Sequence, residues 1–358
     1  MSIVSEPIAP PAGLRREKFT RFINRSSGVL AVFGLGFLTP LMKMAAGENA
    51  GEQLRALKFA LVIPLAGILA FLAVWAMLAP KVQTSLGAIP GPAAVAEQAG
   101  VLFSDHVAER QKAREFYARQ EARNAQLVAD GKADQVKQRA YTGKPTYIDQ
   151  IFTSLVTVGL GFLVATLIAV PVGIACGLSQ TFSGAINPLI QLFKPVSPLA
   201  WLPIVTMVVA AVYTNPADWL PKSLVISAIT VTLGSVWPTI INTALRVASI
   251  DKALVNVGKV LQLSTPTTIR KLVLPSALPL IFTGLRLSLG VGWMVLIAAE
   301  MLAQNPGLGK FVWDEFQNGS STSLARIMVA VFTIGLIGFF LDRVMFALQS
   351  AFTYSDKR

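Results

Sequence analysis

The chain has 358 residues, of which 53% are hydrophobic and only 14% are charged, and its formal net charge is +12. A soluble domain usually carries about a quarter charged residues, so this deficit predicts a surface that meets lipid. One histidine, His106, and one cysteine, Cys176, exclude an internal disulfide framework and a zinc site of the common His/Cys type. The basic excess fits either nucleic-acid binding or Lys and Arg collected beside membrane spans, and the apolar runs described next favour membrane spans over a nucleic-acid partner.

Residues 1–58 are predicted to form a cytoplasmic or interfacial segment. The Pro-rich start lacks an apolar core behind a basic region, so we expect no cleavable signal sequence. Within it, Gly28–Met42 is apolar but shorter than the roughly 20 residues that a span requires, and basic residues flank it. We interpret 28–42 as an interfacial or half-inserted helix, with a full span as the alternative.

Six later segments have the length and apolar character of transmembrane helices, which need about 20 residues to cover roughly 30 Å. They are Phe59–Ala79, Ile151–Leu178, Pro195–Val212, Ser223–Leu245, Pro275–Leu302 and Ile327–Phe352. The last contains two charged residues, Asp342 and Arg343, close enough to one end to reach the interface. We therefore predict an all-α polytopic membrane protein with a first span at 59–79, a five-span core over 149–352 and a short tail at 353–358.

The distribution of Lys and Arg predicts the orientation of these spans. If both termini lie on one side, that side collects most of the basic residues of the short loops, including Lys194. The opposite side then holds Lys222, Lys310 and Arg326 in its short loops. Cytoplasmic loops carry the excess of positive charge, and loops longer than about 60 residues largely escape this rule. We expect a multi-pass protein of a bacterial inner membrane with both termini in the cytoplasm.

The long loop 80–148 is predicted to be extracytoplasmic and to contain a charged helical hairpin at 104–140. Ser104 is a candidate N-cap for its first helix, and Gly131 is a candidate break before its second. Opposite charges three or four residues apart support these helices. Two interpretations stay open: a solvated hairpin, or a docking surface for an extracytoplasmic partner.

Motifs of enzyme active sites are absent from the sequence. It contains no GxxxxGK[ST] phosphate loop, no GxSxG and no HExxH. The acids Asp314 and Glu315 stand in a polar segment with no histidine nearby. We therefore predict a non-catalytic chain that holds no metal and binds no cofactor.

The cytoplasmic loop 246–275 is the most informative segment. Ile250–Leu263 has amphipathic spacing, with Ala253, Val257, Val260 and Leu261 on one face. Ser264 and Pro266 then mark a break and a new helix start. A short amphipathic helix on the membrane face buries its apolar side either in lipid or in a groove on a partner protein.

This loop resembles the cytoplasmic coupling loop of permease subunits in binding-protein-dependent ABC importers. IRKLVLP (Ile269–Pro275) matches the end of the family signature. The front departs from it: Asn256, Val257 and Gly258 stand where Glu-Ala-Ala is usual, and Gln262 stands where a glycine is usual. VNVGKVLQLS at 255–264 instead resembles the loop of nitrate-type permeases.

Four other segments resemble the nitrate/sulfonate/bicarbonate permease family, and the last two again resemble its nitrate-type members. They are Leu192–Val209, Ala277–Leu302, Asn305–Phe316 and Ile334–Val344. The resemblance covers roughly residues 55–350, apart from the charged hairpin. It implies an importer with two permease subunits, two cytoplasmic ATPase subunits and an extracytoplasmic binding protein, in which the ATPase subunits use ATP and Mg²⁺. The second permease is expected to be another copy of this chain, with a second, similar chain as the alternative.

The substrate implied by the resemblance is a small inorganic anion, nitrate first, with nitrite or cyanate fitting the same logic. Bicarbonate and sulfonates such as taurine remain alternatives, and a stand-alone secondary transporter or channel is an alternative of a different class. The residues expected to couple the spans to the ATPase are Asp251, Asn256, Gly258, Lys259, Ser264 and Pro266.

Candidate residues of the translocation path are prolines that break a span and a charge within one. Pro198, Trp201 and Pro203 lie in the third span, where prolines remove backbone donors. Arg286 lies in the fifth span and either offers positive potential to an anion or extends to the cytoplasmic interface. Glu300, near the outer end of the same span, is expected to act as a gate or to contact the loop 305–316.

Overall fold

A computed structural model describes residues 36–47, 49–84, 87–217, 219–250, 256, 258 and 260–353. The first part of the proposed half-inserted helix 28–42, residues 28–35, lies outside the described residues, and a helix begins at Leu38. The chain divides into two units, described separately below. One comprises the described residues up to Met77 together with those from Phe339, and the other is Leu78–Gly338.

The described residues are almost entirely helical. The α-helices are α1 Leu38–Ala45, α2 Ala50–Leu57, α3 Ile63–Leu78, α4 Pro92–Ala129, α5 Tyr147–Leu178, α6 Gln180–Phe193, α7 Leu202–Val212, α8 Lys222–Ala248, α9 Thr265–Thr268, α10 Leu274–Ala303, α11 Leu308–Asn318 and α12 Ser323–Thr353. Single π-helical turns, Lys58–Val62 and Ile269–Val273, join α2 to α3 and α9 to α10. Short 3₁₀ turns are Ala79–Lys81, Ala133–Gln135 and Pro198–Trp201, and β1 Gln83–Thr84 pairs antiparallel with β2 Gly87–Ala88.

Five continuous helical stretches are long and apolar enough to cross a membrane. They are Gly51–Lys81, Tyr147–Leu178, Lys222–Ala248, Thr265–Ala303 and Ser323–Phe352. Each contains one of the predicted spans, and the all-α polytopic fold is confirmed. Lipid provides no hydrogen-bond partner for the backbone, so a spanning segment must be a long helix, and its length is readable from the sequence.

The third span is broken, as its prolines predicted, but its predicted start at Pro195 is wrong. It begins earlier, with α6, and bends by 90° before the 3₁₀ turn and α7. Pro195 and Pro198 cannot donate the backbone hydrogen bonds that would continue α6, and Pro203 stands in the first turn of α7, where a missing donor costs nothing. Length and composition alone allow the pair α6–α7 to be either one broken span or a re-entrant segment.

Helix pairing decides between these two possibilities. Gly161 of α5 faces Ala228 and Val231 of α8, and Gly177 faces Val247, so α5 and α8 run in the same direction. The chain must therefore return across the bundle between the end of α5 and the start of α8, and α6–α7 is the segment that returns. It makes a sixth crossing, which agrees with the predicted number.

The fifth span runs antiparallel to α8 and packs closely on it. Gly284 of α10 faces Thr239 and Asn242, whereas Gly292 lies against Ser235. A glycine at such a position lets two helix backbones approach without a side chain between them. Gly290 has no neighbour within 4 Å among the described residues, so it belongs to the open face of α10.

We predict that Gly173→Ala destabilises the α5–α8 contact. A Cβ at this position would lie 2.6 Å from Thr243 Cβ and 2.9 Å from the carbonyl oxygen of Ile240, which is closer than van der Waals contact allows. Overpacking of this kind costs about 1–3 kcal/mol. The midpoint of thermal unfolding in detergent should fall, whereas Gly159→Ala on the same helix, with nothing within 4 Å, should leave it unchanged. Equal midpoints for the two variants would contradict this packing.

The charged part of the long loop is one helix followed by an extended return segment, here called the arm (Pro92–Tyr141). The predicted N-cap at Ser104 is wrong, because α4 starts at Pro92 behind Gly91 and Ser104 lies inside it. Proline at the first helical position is favourable, and no breaker follows for 38 residues. The predicted second helix is also wrong: Gly131 adopts a left-handed conformation, φ 73°, and beyond it only one 3₁₀ turn forms.

Side chains of α4 bind the return segment of the arm. Asn124 donates to the carbonyl oxygen of Lys137 (3.1 Å), and Gln120 accepts from the backbone N–H of Arg139 (2.8 Å). Nearer the bundle, the Tyr141 hydroxyl donates to Glu109 Oε1 at 2.8 Å. This hydrogen bond lowers the pKa of Glu109 and raises the pKa of Tyr141, because it stabilises the carboxylate and holds the phenolic proton.

Candidate functional site

The bend in the third span lies about halfway through the bundle. Pro198 lies beside Gly234 of α8 and Val295 of α10, because a Cβ on Gly234 would be 3.0 Å from Pro198 Cγ and 3.3 Å from Val295 Cγ2. Gly234 is twelve and fourteen residues from the two ends of α8, or roughly 18 and 21 Å along the axis. Broken helices at this depth line water-filled cavities or lie inside protein, since lipid leaves their backbone groups unsatisfied.

Aromatic side chains surround this bend. The ring of Phe193 stacks on Trp237 of α8 with centroids 6.4 Å apart, and it contacts Trp201 at 5.7 Å. Trp201 is the last residue of the 3₁₀ turn, and its neighbour Leu202 is buried against Ile226 and Ala299. The structure thus brings Pro198 and Trp201 to one place, and Pro203 follows them at the start of α7.

Arg286 does not join this group. It lies nine residues from Val295 on the same helix, which is about 13 Å along the axis towards the cytoplasmic loop. Its side chain is half-buried, and its helix is packed on α8 two residues before it through Gly284 and six residues after it through Gly292. The structure therefore separates the predicted charge from the predicted bend.

Glu300 is fully buried at the outer end of the bundle. Both of its carboxylate oxygens accept from the Ser154 hydroxyl of α5 (2.9 and 2.8 Å), and Oε2 also accepts from the backbone N–H of Gly309 (3.0 Å). Ser154 in turn accepts from the backbone N–H of Leu308 at 2.9 Å. These N–H groups belong to the first turn of α11, so the carboxylate and the hydroxyl together cap that helix.

A second hydrogen-bonded chain closes the same loop. Asn305 is also fully buried, donates to Thr157 of α5 at 3.2 Å and accepts from Ser223 of α8 at 3.3 Å. Gly307 lies so close to the Glu300 carboxylate that no side chain would fit there. The segment from residue 304 to 309 is therefore fixed to α5, α8 and α10, and Glu300 holds α11 in place.

The coupling loop is described in part. Asp251 and Lys259 lie outside the described residues. Asn256 is exposed, whereas Gly258 is buried, and a Cβ on it would be 3.1 Å from Leu272 and 3.5 Å from Thr268. Gly258 therefore faces the protein itself, and its role is close packing beneath the loop.

The opposite face of this loop points away from the protein. Val260 is 81% exposed and Leu261 is 62% exposed. Gln262 then adopts a left-handed conformation (φ 48°), and the N–H of Leu263 donates to the carbonyl oxygen of Gly258, which is the helix-terminating geometry that favours glycine. Ser264 follows as the N-cap residue and Pro266 stands in the first turn of α9, as the sequence predicted for a new helix start.

Several residues of these sites were not anticipated from the sequence. Ser154 and Asn305 are 146 residues or more from their partners Glu300 and Thr157, so no local pattern indicates the network. Lys194 was assigned to the cytoplasmic side, yet it follows Phe193 at the bend itself. The sequence feature that could have indicated this position is a charged residue within an apolar stretch, close to Pro195 and Pro198.

The chain matches the family model described as "Binding-protein-dependent transport system inner membrane component" over residues 169–354. It is 35% identical to the bicarbonate transport system permease protein CmpB of Synechococcus elongatus over 290 residues, which cover 81% of this chain and 88% of that relative. It is 37% identical to the nitrate import permease protein NrtB of the same organism over 196 residues, 55% of this chain and 66% of that relative.

Among solved structures, the chain resembles one from inward-facing conformations of the MetNI methionine ABC transporter. The TM-score is 0.50 at 12% sequence identity, and the match covers 57% of this chain and 95% of that one. At this identity the likeness concerns the fold alone. It places the described bundle among the membrane-spanning folds of ABC importers.

Proposed function

Since this chain belongs to the family of binding-protein-dependent transport system inner membrane components, we propose that it is the permease subunit of an ABC importer that carries nitrate across the inner membrane. Nitrite and cyanate are further substrates of the same class. The observation that carries the proposal is the similarity to permeases named for nitrate and for bicarbonate. The family membership argues against the alternative of a stand-alone secondary transporter or channel. The permease subunit is itself non-catalytic.

Bicarbonate is the second candidate substrate, because the relative aligned over the larger share of this chain is a bicarbonate permease. Sulfonates such as taurine are a third candidate. Nitrate is preferred because the coupling loop and the carboxyl-terminal segments resemble the nitrate type. All these substrates are anions, so the path must offer positive potential or helix amino termini.

The energy source in this proposal is a pair of cytoplasmic ATPase subunits that use ATP and Mg²⁺, while this chain binds no cofactor. Their grooves receive the exposed face of Val260 and Leu261, and a second permease copy completes the membrane part. Both termini then lie in the cytoplasm, in keeping with the distribution of Lys and Arg. The outer end of the bundle, with the arm and the Glu300 network, faces the extracytoplasmic binding protein.

Substrate choice is tested with the complete transporter in proteoliposomes. ATP-dependent uptake of nitrate should saturate, and unlabelled nitrate should inhibit it more strongly than bicarbonate or taurine at equal concentration. The control is the same vesicles with a non-hydrolysable ATP analogue. Bicarbonate uptake without nitrate uptake would contradict the assignment of nitrate as the substrate. Failure of any ATPase subunit to co-purify would contradict the assignment of this chain to an ABC importer.

The arm offers a surface for the binding protein. Arg119 and Arg123 lie one turn apart on α4, and Lys137 and Arg139 alternate on the return segment, so all four cations line one groove of about 220 Å³ that contains no acid among the described residues. A groove of one charge sign attracts an oppositely charged surface and speeds its association.

We therefore predict that Arg119→Glu combined with Arg123→Glu weakens binding of the purified binding protein at least tenfold. The affinity should also lose most of its dependence on salt, because screened charge pairs no longer contribute. Arg114→Glu combined with Lys132→Glu changes the same charge on the same arm outside the groove and serves as the control. Equal affinities for the two double variants would mean that the arm is a solvated segment and not a docking surface.

A further inference from the structure

Lys194 is a charged residue at the middle of the bundle. It directly follows Phe193, whose ring stacks on Trp237, and Trp237 lies three residues, about 4.5 Å, from Gly234 on α8. Gly234 marks the level of the bend at Pro198, near the centre of α8. The Lys194 backbone therefore lies within about one helical turn of mid-depth, on the side of the coupling loop.

The Lys194 side chain is exposed and has no ion-pair partner among the residues that the structure describes. Within the described part of residues 78–338, the acids of the spans are Asp149 and Glu300, and both lie at the outer end of the bundle. Asp149 pairs with Arg110 at 2.6 Å, and Glu300 is buried among hydroxyl and amide donors. Within the described part of residues 78–338, no acid of the spans stands at the level of the bend.

Such a charge cannot face lipid at low cost. The hydrocarbon core is about 30 Å thick, so mid-depth is roughly 15 Å from either interface. From a backbone about one turn below mid-depth, the Lys side chain, about 6 Å long when extended, leaves the ammonium roughly 4 Å inside the hydrocarbon region. An uncompensated charge there costs about 2.5–3.5 kcal/mol or more. The exposed surface at Lys194 must therefore meet water or a polar surface of the second permease copy.

The backbone at the bend adds to the same positive potential. The 3₁₀ turn begins at Pro198, four residues after Lys194, and α7 follows it; Pro198 has no N–H, the N–H of Ala200 donates to the carbonyl oxygen of Ser197, and that of Leu202 donates to the carbonyl oxygen of Leu199, so the turn offers partial positive charge rather than several free donors. A helix amino terminus carries partial positive charge and favours an anion beside it. Lys194, directly after α6, and the start of the 3₁₀ turn at Pro198 thus lie on the two sides of the bend in the third span.

We propose that the Lys194 ammonium lines the translocation path and binds the transported anion as it passes the bend of the third span. The inference rests on the proposed function, and it names the residue that gives the path its preference for negative charge. The anion partly neutralises the ammonium, and the neighbouring helix start contributes partial positive charge. Arg286 lies between Gly284 and Ser288, which contact Thr239, so it stands at nearly the depth of Trp237 and is a second cation close to this level.

The test compares variants in the complete transporter, reconstituted with its ATPase subunits and binding protein. Lys194→Gln should lower the rate of ATP-dependent anion uptake at least tenfold, whereas Lys194→Arg, which keeps the charge, should retain at least a third of it. Both should keep the wild-type thermal unfolding midpoint. Lys222→Gln, the same change at the outer end of α8, is the matched control and should transport normally.

Chemical restoration of the charge separates binding from packing. Lys194→Cys is made in a Cys176→Ser background, because Cys176 is the only native cysteine. Aminoethyl methanethiosulfonate then adds an ammonium in place of the lysine and should restore uptake, whereas methyl methanethiosulfonate adds a neutral group and should not. The wild type must show ATP-dependent uptake first, and its absence would count against the proposed function.

Three results would overturn the role of Lys194. The first is wild-type uptake by Lys194→Gln in a preparation whose wild type transports. The second is a loss of uptake that accompanies an equal loss of thermal stability, which would assign Lys194 to the end of α6. The third is failure of the aminoethyl reagent to restore uptake although mass spectrometry shows complete modification.

Discussion

Replacement of Glu300 by alanine should abolish transport and destabilise the outer end of the bundle. The carboxylate accepts from the Ser154 hydroxyl and from the backbone N–H of Gly309, and no water reaches it to replace those bonds. Glu300→Ala leaves both donors buried without an acceptor and opens a cavity. Each unsatisfied donor costs about 1–3 kcal/mol, so we expect a total loss of roughly 3 kcal/mol or more.

The functional consequence follows from what Glu300 holds. Its contacts fix the first turn of α11, whose neighbour Gly307 lies against the same carboxylate. Without it, α11 loses its attachment to α5 and α10, and the outer face presented to the binding protein loses its shape. Binding-protein-stimulated ATP hydrolysis should therefore fall to the basal rate.

The measurement is the thermal unfolding midpoint of the purified transporter together with stimulated ATP hydrolysis. Glu300→Gln keeps the shape and one carbonyl acceptor, so it should be intermediate in both. Glu121→Ala removes an exposed carboxylate from the arm and should change neither. A wild-type midpoint for Glu300→Ala would mean that the network contributes no net stability.

The features that the sequence predicted correctly are those that lipid imposes locally. Five spans could be located, three of them within about four residues at each end, because each is a continuous run of apolar residues of the required length; the helices of the first and fifth begin about eight and ten residues before the predicted starts. The third span failed because its first half, α6, contains Gln180, Ser183 and Asn187 and reads as a polar loop. Those side chains lie near the cytoplasmic end of the bundle, around a cavity of about 720 Å³, where water is available to them.

The candidate site could be predicted only where it depends on residues that are close together in the sequence. Prolines in the third span indicated a break, and amphipathic spacing indicated a coupling helix. The depth of the break depends on Gly234 and Val295, which are distant in sequence, so Lys194 could be placed only after the helices were paired. The Glu300 network depends likewise on Ser154 and Asn305, which come from different elements.

Replacement of Val260 by aspartate should abolish coupling to the ATPase. Val260 and Leu261 form an exposed apolar face on the coupling loop, and only a partner groove or lipid can bury it. A carboxylate carried into an apolar groove loses its hydration without a compensating partner, which costs about 2–4 kcal/mol, or a 30- to 900-fold weaker association. ATP-dependent uptake should fall at least tenfold, and less ATPase should co-purify.

A matched control and a second position identify the cause of that loss. Val128→Asp makes the same change at a valine that is 57% exposed on the arm, and it should transport normally. Gly258→Glu acts differently, because Gly258 packs on Thr268 and Leu272 and a side chain there displaces the loop itself. Val260→Asp should therefore keep the wild-type unfolding midpoint while Gly258→Glu lowers it. Normal uptake by Val260→Asp would contradict the coupling role, because transport would then not depend on contact between this exposed face and the ATPase.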